Sequence, residues 1–447
     1  MQEAVPASGG SIDVAARVEG QRFNRFLLRT VVLCLAVLIV DGYDVMVMGF
    51  VAPSLARSFG VSSAALTPVF VLGQVGLAIG AFTAGPLADR IGRRRVILFA
   101  GAFFTVCTLL TLLTGSVLQL AVLRVVTGIG LGGILPNTIA LVSEMSPRRN
   151  RAITVMVMFS GFSIGSAVAG LVSARLLEPY GWRGPVLLGG LVPLVLLPMV
   201  YVWLPESVRL LTLWGGRDRE VASLLGRMGL LGRGEAGARF VTGEAPVAAK
   251  PVRALFTDRR GPMTALLWLT FFVNLLDLNL LAAWLPTYLN RFAGLTPGQA
   301  AGLASFYQIG GTVGTYLLGL IVDRVGASRA ISAGYLLAAL SIGSIGLIDR
   351  SPLVMTVALT LAGWFVVGGQ GGINAYAGSL YPTAIRSTGV AWAFGIGRFG
   401  AMLGPALGGW MLAENLGAEP TFVIAALPIT VAIVSVLLVG VFARRTA

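Results

Sequence analysis

Gly85-Pro-Leu-Ala-Asp89-Arg90-Ile-Gly92-Arg-Arg-Arg95 returns later in the chain as Gly319-Leu-Ile-Val-Asp323-Arg324-Val-Gly326-Ala-Ser-Arg329. Other landmarks repeat at nearly the same displacement. Pro147 with Arg151 matches Pro382 with Arg386, Asp41 and Asp44 line up with Asn274 and Asp277, and Pro53 lines up with Pro286. Agreement at four separate places reads as the parallel duplication of one unit. Around the first copy lie apolar runs at 26–51, 64–87, 96–115, 118–143, 152–174 and 184–204; around the second, runs at 263–289, 299–322, 329–348, 352–380, 388–411 and 420–442. Roughly 20 apolar residues span a bilayer as helix, so each unit predicts six crossings.

Composition supports this reading. The 447 residues are 56% hydrophobic and only 12% charged, which excludes an ordinary soluble globule. The runs are too long and unbroken for the short alternating strands of an outer-membrane barrel. A formal charge of +14 raises the possibility of nucleic acid, but the arginines sit between apolar runs and not in one basic domain, so no nucleic-acid partner is expected. Inner connections carry Arg90, Arg93, Arg94 and Arg95, then Arg148, Arg149 and Arg151, the central stretch, Arg324 and Arg329, Arg386, and Arg444 with Arg445. Outer ones hold only Arg57, Arg183, Arg291 and Arg350, offset by Glu178, Asp349, Glu414 and Glu419. The positive-inside rule then places both termini in the cytoplasm. The first apolar run is full length, unlike the core of a cleavable signal peptide.

The expected organisation is a cytoplasmic N-terminal tail at 1–25, a six-helix half at 26–204, a cytoplasmic linker at 205–262, a second half at 263–442 and a cytoplasmic tail at 443–447. Within the linker, a surface helix is expected over 217–231 among Arg209, Arg217, Arg219, Arg227, Arg233, Lys250, Arg253, Arg259 and Arg260. Cys34 and Cys107 fall in apolar runs without pair spacing and read as small core residues. No metal or cofactor motif is present in the sequence. Histidine is absent, so proton transfer within the membrane falls to Asp, Glu or water.

Two acids, Asp41 and Asp44, interrupt the first apolar run at a spacing that puts both on one helix face. Each is expected to cost roughly 2.5–3.5 kcal/mol at a helix centre, so that face must look into protein or water. If the first span exits near Phe50 and the fourth enters near Ser116, Asp41 and Arg124 lie roughly 13 and 12 Å deep and can meet. An arginine paired to one acid leaves the other able to exchange a proton near neutral pH. The residues leave open which acid that is, and whether the pair is instead a permanent bridge. Asp277 and Arg398 reach similar depth in the second half. Arg398 is either a substrate or coupling residue, using the two-pronged fork that suits a carboxylate, or a structural partner of Asp277. Asn137, Gln74, Asn274, Gln308, Gln370, Asn374 and Tyr376 are candidate neutral hydrogen-bonding groups; Phe159, Phe306, Tyr307 and Trp392 are candidate ring-stacking groups.

The Gly85–Arg95 motif, its copy, the Glu144-x-x-Pro147-x-x-x-Arg151 end of the fourth span and Pro205-Glu206-Ser207 resemble the major facilitator superfamily. Narrower features are similar to its aromatic acid/proton symporters: Asp41-Gly-Tyr-Asp44, Met48-Gly-Phe-Val-Ala-Pro53, Arg124-Val-Val-Thr-Gly-Ile-Gly-Leu-Gly-Gly-Ile-Leu-Pro136-Asn137, Trp284-Leu-Pro286, and Tyr381-Pro-Thr-Ala-Ile-Arg386-Ser-Thr-Gly389 leading to Arg398. The resemblance implies an all-α membrane protein, a bundle of 12 transmembrane helices in two six-helix halves with pseudo-two-fold symmetry. It also implies uptake of benzoate-like carboxylates with protons at the bacterial inner membrane. No cofactor is expected beyond the proton gradient, nor a partner beyond cargo, protons and lipid; the chain is expected to be a monomer and not an enzyme.

The candidate roles are proton coupling by Asp41, Asp44 and Asp277; cargo binding by Arg124, Arg398, Asn137, Asn274, Gln308, Tyr307, Gln370, Asn374 and Trp392; and gating by Gly85, Asp89, Arg90, Gly92, Glu144, Arg151, Asp323, Arg324 and Arg386. Paired charges at the inner helix ends would latch the cytoplasmic side while the site faces outward, with plain helix capping as the alternative. The competing functions are proton-driven efflux, uptake of another metabolite such as nicotinate, a dicarboxylate or a sugar, and a transporter-like receptor.

Overall fold

The computed structural model describes residues 11–232, 235, 238–242, 252–257, 260–347, 351–381 and 383–446. Residues 1–10, Arg233, Lys250, Arg259, Asp349, Arg350, Pro382 and Ala447 lie outside the described residues, as do the side chains of Asp323, Arg444 and Arg445. The first half contains α1 (Val14–Glu19), α2 (Arg25–Phe59), α3 (Thr67–Ile91), α4 (Arg93–Thr111), α5 (Val117–Met145), α6 (Arg151–Tyr180) and α7 (Arg183–Trp203). The linker carries α8 (Val208–Trp214) and α9 (Asp218–Arg227). The second half contains α10 (Gly261–Phe292), α11 (Pro297–Val325), α12 (Ala327–Ile345), α13 (Pro352–Leu380), α14 (Thr383–Ala413) and α15 (Ala418–Thr446). Among the described residues, eleven of the twelve long helices are long and apolar enough to cross a membrane; the other, α11, carries Gln308, Thr312, Thr315 and Arg324. The protein is thus an all-α, multi-pass membrane protein.

The duplication is visible in the packing. In the first half α2 packs on α6, α3 on α5 and α4 on α7; in the second half α10 packs on α14, α11 on α13 and α12 on α15. Without a hydrophobic drive between helices in lipid, such pairs depend on close backbone approach, which small residues permit. A Cβ on Gly165 would run into the Ile39 carbonyl, and one on its counterpart Gly400 would run into the Phe272 carbonyl.

The halves meet along α2 with α10, α3 with α14 and α6 with α11. Polar links lie at the end opposite the linker, where Thr296 Oγ1 donates to Glu178 Oε1 (2.9 Å) and Arg57 Nη2 to Asn290 Oδ1 (3.3 Å). Nearby, the Phe70 and Trp284 rings meet edge to face at 4.8 Å. At the linker end, Ile153, Val157, Tyr316 and Ile321 are exposed.

The structure departs from the sequence reading in several places: the surface helix expected over 217–231 spans only Asp218–Arg227, and α6 runs on to Tyr180. Two further departures are larger. First, α2 continues past Val51 to Phe59 with Pro53 inside it and stops at Gly60, whose φ of 65° is left-handed and whose N–H caps Ala56 and Arg57. Proline alone does not end a membrane helix when neighbouring helices cover the freed carbonyl. Second, the N-terminal tail is built into the structure. Strand β1 (Ile12–Asp13) pairs in parallel with β2 (Phe240–Val241), the Gln21 side-chain amide donates to the Met145 carbonyl (2.6 Å), and Arg17 Nη2 donates to Glu235 (2.6 Å). The Gly232 N–H, and after it Arg17, hold the Glu235 carboxyl below the usual carboxylate range. Cys34 and Cys107 are buried and unbridged.

Candidate substrate and proton site

Midway along α2, Asp44 is fully buried and has both carboxylate oxygens bound: Arg124 Nη1 of α5 donates to one at 2.9 Å and the Thr108 hydroxyl of α4 to the other at 2.7 Å. Sequence depth alone lets Arg124 meet either acid; the structure pairs it with Asp44. A charge-assisted pair of this kind, buried and hydrogen-bonded on both oxygens, is the form in which desolvation is best offset. Arg124 also has reach to spare, because its Nε and Nη2 are buried without a partner. The residue lines a cleft between the halves together with Met46, Gly73, Gln74, Asn279 and Pro405. A Cβ on Gly73 would lie 3.9 Å from the Arg124 Cβ, in ordinary van der Waals contact with the stem of the guanidinium.

Asp41, one turn before Asp44, is only 2% exposed and its Oδ1 has no partner. It lies within Coulombic reach of Asp44 on its own helix and of Arg398 on α14, in the opposite half. The half-buried Arg398 therefore faces Asp41, not Asp277 as the structural-partner alternative had it. The reason is angular. Helix α14 crosses α10 where Gly400 and Gly404 touch the Phe272 and Leu276 carbonyls, whereas Asp277 turns toward Tyr307 of α11 and Tyr335 of α12. Asp277 is fully buried with neither oxygen hydrogen-bonded.

The other expected cargo residues divide. Gln308 reaches across the halves to the Met46 sulfur (3.3 Å), and Gln74 donates to Asn279 Oδ1 across them (2.8 Å). Asn137 spends its amide on the Gly133 carbonyl of its own helix (2.7 Å), and Asn274 donates to the Val366 carbonyl (3.2 Å). Tyr307 is 1% exposed inside the second half. Gln370 donates to Asn374 one turn along α13 (2.8 Å), on which Tyr376 is also buried. Trp392 stacks on Trp268 (5.8 Å) and Phe159 on Phe162 (6.4 Å), and neither borders the cleft. Phe306 is exposed. Sequence reasoning missed Thr108, one of many threonines in apolar runs, and Asn279, whose place two residues after Asp277 was the available signal.

At the linker end, Glu144 accepts two hydrogen bonds from Arg93 (2.9 and 2.6 Å) and one from the Ser207 hydroxyl (2.6 Å). Arg151 pairs with Glu19 of the N-terminal tail at 2.9 Å. Glu144 and Arg151 border one small cavity together with Glu19 and Arg209, and Glu144 is already held by Arg93. Asp89 is exposed, 3.6 Å from Arg93, and its carbonyl accepts from the Trp214 indole. Gly92 has a φ of 109°, and a Cβ there would strike Glu206, which accepts from the Arg93 backbone N–H (2.9 Å). Gly85 has open space around it, Arg90 and Arg324 are exposed, and Arg386 Nε donates to the Tyr381 carbonyl (3.3 Å).

Two duplicated helical halves enclosing a largely apolar cleft, with Gln74, Asn279 and the arginine of a buried acid–arginine pair at its wall, define a membrane transporter. The family model of the Major Facilitator Superfamily matches residues 33–292 and 267–447, and the chain belongs to that superfamily. It is 41% identical to a gallate transporter of Pseudomonas putida, over 97% of this chain and 96% of that one. It is 36% identical to a 4-hydroxybenzoate transporter of the same organism, over the full length of both. Among solved structures, a bacterial homologue of the lysosomal transporter Spinster in an inward-facing, occupied conformation superposes with a TM-score of 0.71 at 15% identity, covering 95% of this chain and 97% of that one. The xylose transporter of E. coli, partially occluded and inward open, superposes with a TM-score of 0.68 at 16% identity, covering 92% and 98%.

Proposed function

We propose that the chain imports aromatic carboxylates of the hydroxybenzoate and gallate type across the bacterial inner membrane, coupled to protons, by alternating access. The single observation that carries this reading is Arg124. One prong of its guanidinium neutralises Asp44, while Nε and Nη2 are left without partners on a side chain that lines a cleft between the halves. The relatives that transport gallate and 4-hydroxybenzoate support the choice of cargo.

In this cycle Asp41 takes a proton from outside. Neutral Asp41 releases Arg398 from its electrostatic hold, and the cargo carboxylate is then held between the free donors of Arg124 and Arg398. Gln74, Asn279 and Gln308 supply neutral hydrogen bonds to ring substituents. As the halves rock, the end bearing the linker opens; Asp41 loses its proton to the cytoplasm, recaptures Arg398 and expels the anion. The closure opposite the linker corresponds to the inward-facing stage.

The charge bias of the connections supports cytoplasmic termini, with the two halves at 26–204 and 263–442 joined by a cytoplasmic linker at 205–262. The protein works as a monomer driven by the proton gradient, performs no covalent chemistry and is not an enzyme. Its Arg93–Glu144 and Arg151–Glu19 pairs rigidify the inner face of the first half. Proteoliposomes containing the purified chain test the function. An inwardly directed proton gradient should concentrate labelled 4-hydroxybenzoate or gallate, and a protonophore should abolish it. Accumulation only under the reversed gradient would make the protein an efflux antiporter, and binding without any counterflow would make it a receptor.

A further inference from the structure

Asp277 plays no part in that cycle, yet it occupies the position in the second half that Asp44 holds in the first. Helices α4 and α12 are both 19 residues long, and α5 and α13 both 29, so counting from their first residues sets Thr108 against Ile342 and Arg124 against Leu359. Both partners of the acid have become hydrocarbon, and Ile342 and Leu359 are fully buried. Conversely, Gly73 and Gly101 of the first half correspond to Tyr307 and Tyr335, which bring two hydroxyls within electrostatic range of Asp277. Among the described residues no arginine or lysine is within reach of the carboxyl, and the titratable groups facing it are these two tyrosines.

Five polar atoms in this region are buried without partners: both Asp277 oxygens, the Tyr307 and Tyr335 hydroxyls and Asn274 Oδ1, which sits one turn away on the same helix. An ionised carboxylate with no counter-charge is the least tolerable occupant of such a place. A protonated one fits the donor set. Through a bridging water its O–H has an acceptor in Asn274 Oδ1, and its oxygens have donors in the two phenols. Helix α10 also forms part of the seam between the halves: Asn279, two residues beyond Asp277, is the partner of Gln74 across that seam. Movement of the halves therefore moves this helix.

We propose that Asp277, with Asn274, Tyr307 and Tyr335, is a second proton site enclosed in the C-terminal half, loaded and emptied once per cycle. The proposal rests on the symport reading above and deepens it by setting the charge balance. One proton with one aromatic monoanion moves no net charge; two protons with the same anion move one positive charge inward.

The test uses proteoliposomes of the full chain, labelled 4-hydroxybenzoate, no pH gradient and a potassium diffusion potential set with valinomycin. For wild type, about 59 mV of inside-negative potential should raise the accumulation ratio tenfold. In Asp277→Asn the ratio should not respond to potential, while a pH gradient still drives uptake. Equal potential dependence in both proteins, or none in wild type, overturns the proposal. Absence of pH-driven accumulation in wild type would instead defeat the symport reading itself. Should Asp277→Asn fail to fold, infrared spectra of Tyr307→Phe and Tyr335→Phe give the second measurement. The carboxylic-acid C=O stretch shifts in both if the neutral acid is Asp277; a band that shifts in neither overturns the proposal.

Discussion

Asp44 and Asp277 stand at matching places in two copies of one six-helix unit, and their surroundings have diverged in opposite directions. The first acid has an arginine and a threonine on its two oxygens and lies beside the cleft. The second is sealed among tyrosines and hydrocarbon. Helix pairing survived the divergence because it depends on glycines such as Gly165 and Gly400 at the crossings, not on the polar residues between them. A duplicated scaffold thus keeps its backbone geometry while each copy sets the charge state of its own acid. In the first copy a cation is paired with the acid; in the second, among the described residues, none is within reach of it.

The largest effect expected from breaking this contrast comes from Arg124→Ala. It strands a buried Asp44, so stability should fall by about 3–5 kcal/mol as well as transport being lost. Thermal unfolding in detergent should show part of that loss recovered in the Arg124→Ala, Asp44→Asn double variant, with transport still absent. Equal stability of wild type and Arg124→Ala would mean that the pair is not held as seen. Smaller is the effect of Thr108→Val, which removes one charge-assisted hydrogen bond worth about 1.5–3 kcal/mol. The counterpart change Ile342→Val deletes a methylene from hydrocarbon, at about 0.5–1.5 kcal/mol. If chemical denaturation ranks these two the other way, the halves do not differ as described. Smallest is Glu19→Gln. Its pair with Arg151 is about one-third exposed on both sides, so the stability change should stay within about 1 kcal/mol and shrink further in salt.

The duplication was legible because the Gly85 and Gly319 motifs fall at turns, where sequence is constrained by charge and by a glycine of positive φ such as Gly92. The crossings were legible from apolar run length, though α2 overran its expected end because Pro53 was tolerated. Asp41 and Asp44 were identifiable as inward-facing acids. Which of them Arg124 takes was not, since residues one turn apart on a face differ only by how neighbouring helices are seated. Thr108 could not be distinguished from threonines that bond their own helix, as Thr105 does to the Gly101 carbonyl (2.6 Å). The docking of the N-terminal tail was illegible because a polar segment has no periodicity; its order comes from partners far along the chain, Phe240 and Glu235 among them.

The proposed cycle makes Asp41 the group on which coupling turns, and Asp41→Asn separates binding from coupling in one preparation. With the variant in proteoliposomes, exchange of labelled for unlabelled 4-hydroxybenzoate at equal pH should persist within a few-fold of wild type, while accumulation driven by a pH gradient should fall from the two-proton to the one-proton level, the proton at Asp277 alone remaining coupled. Gradient-driven accumulation at the wild-type level in Asp41→Asn would contradict the account.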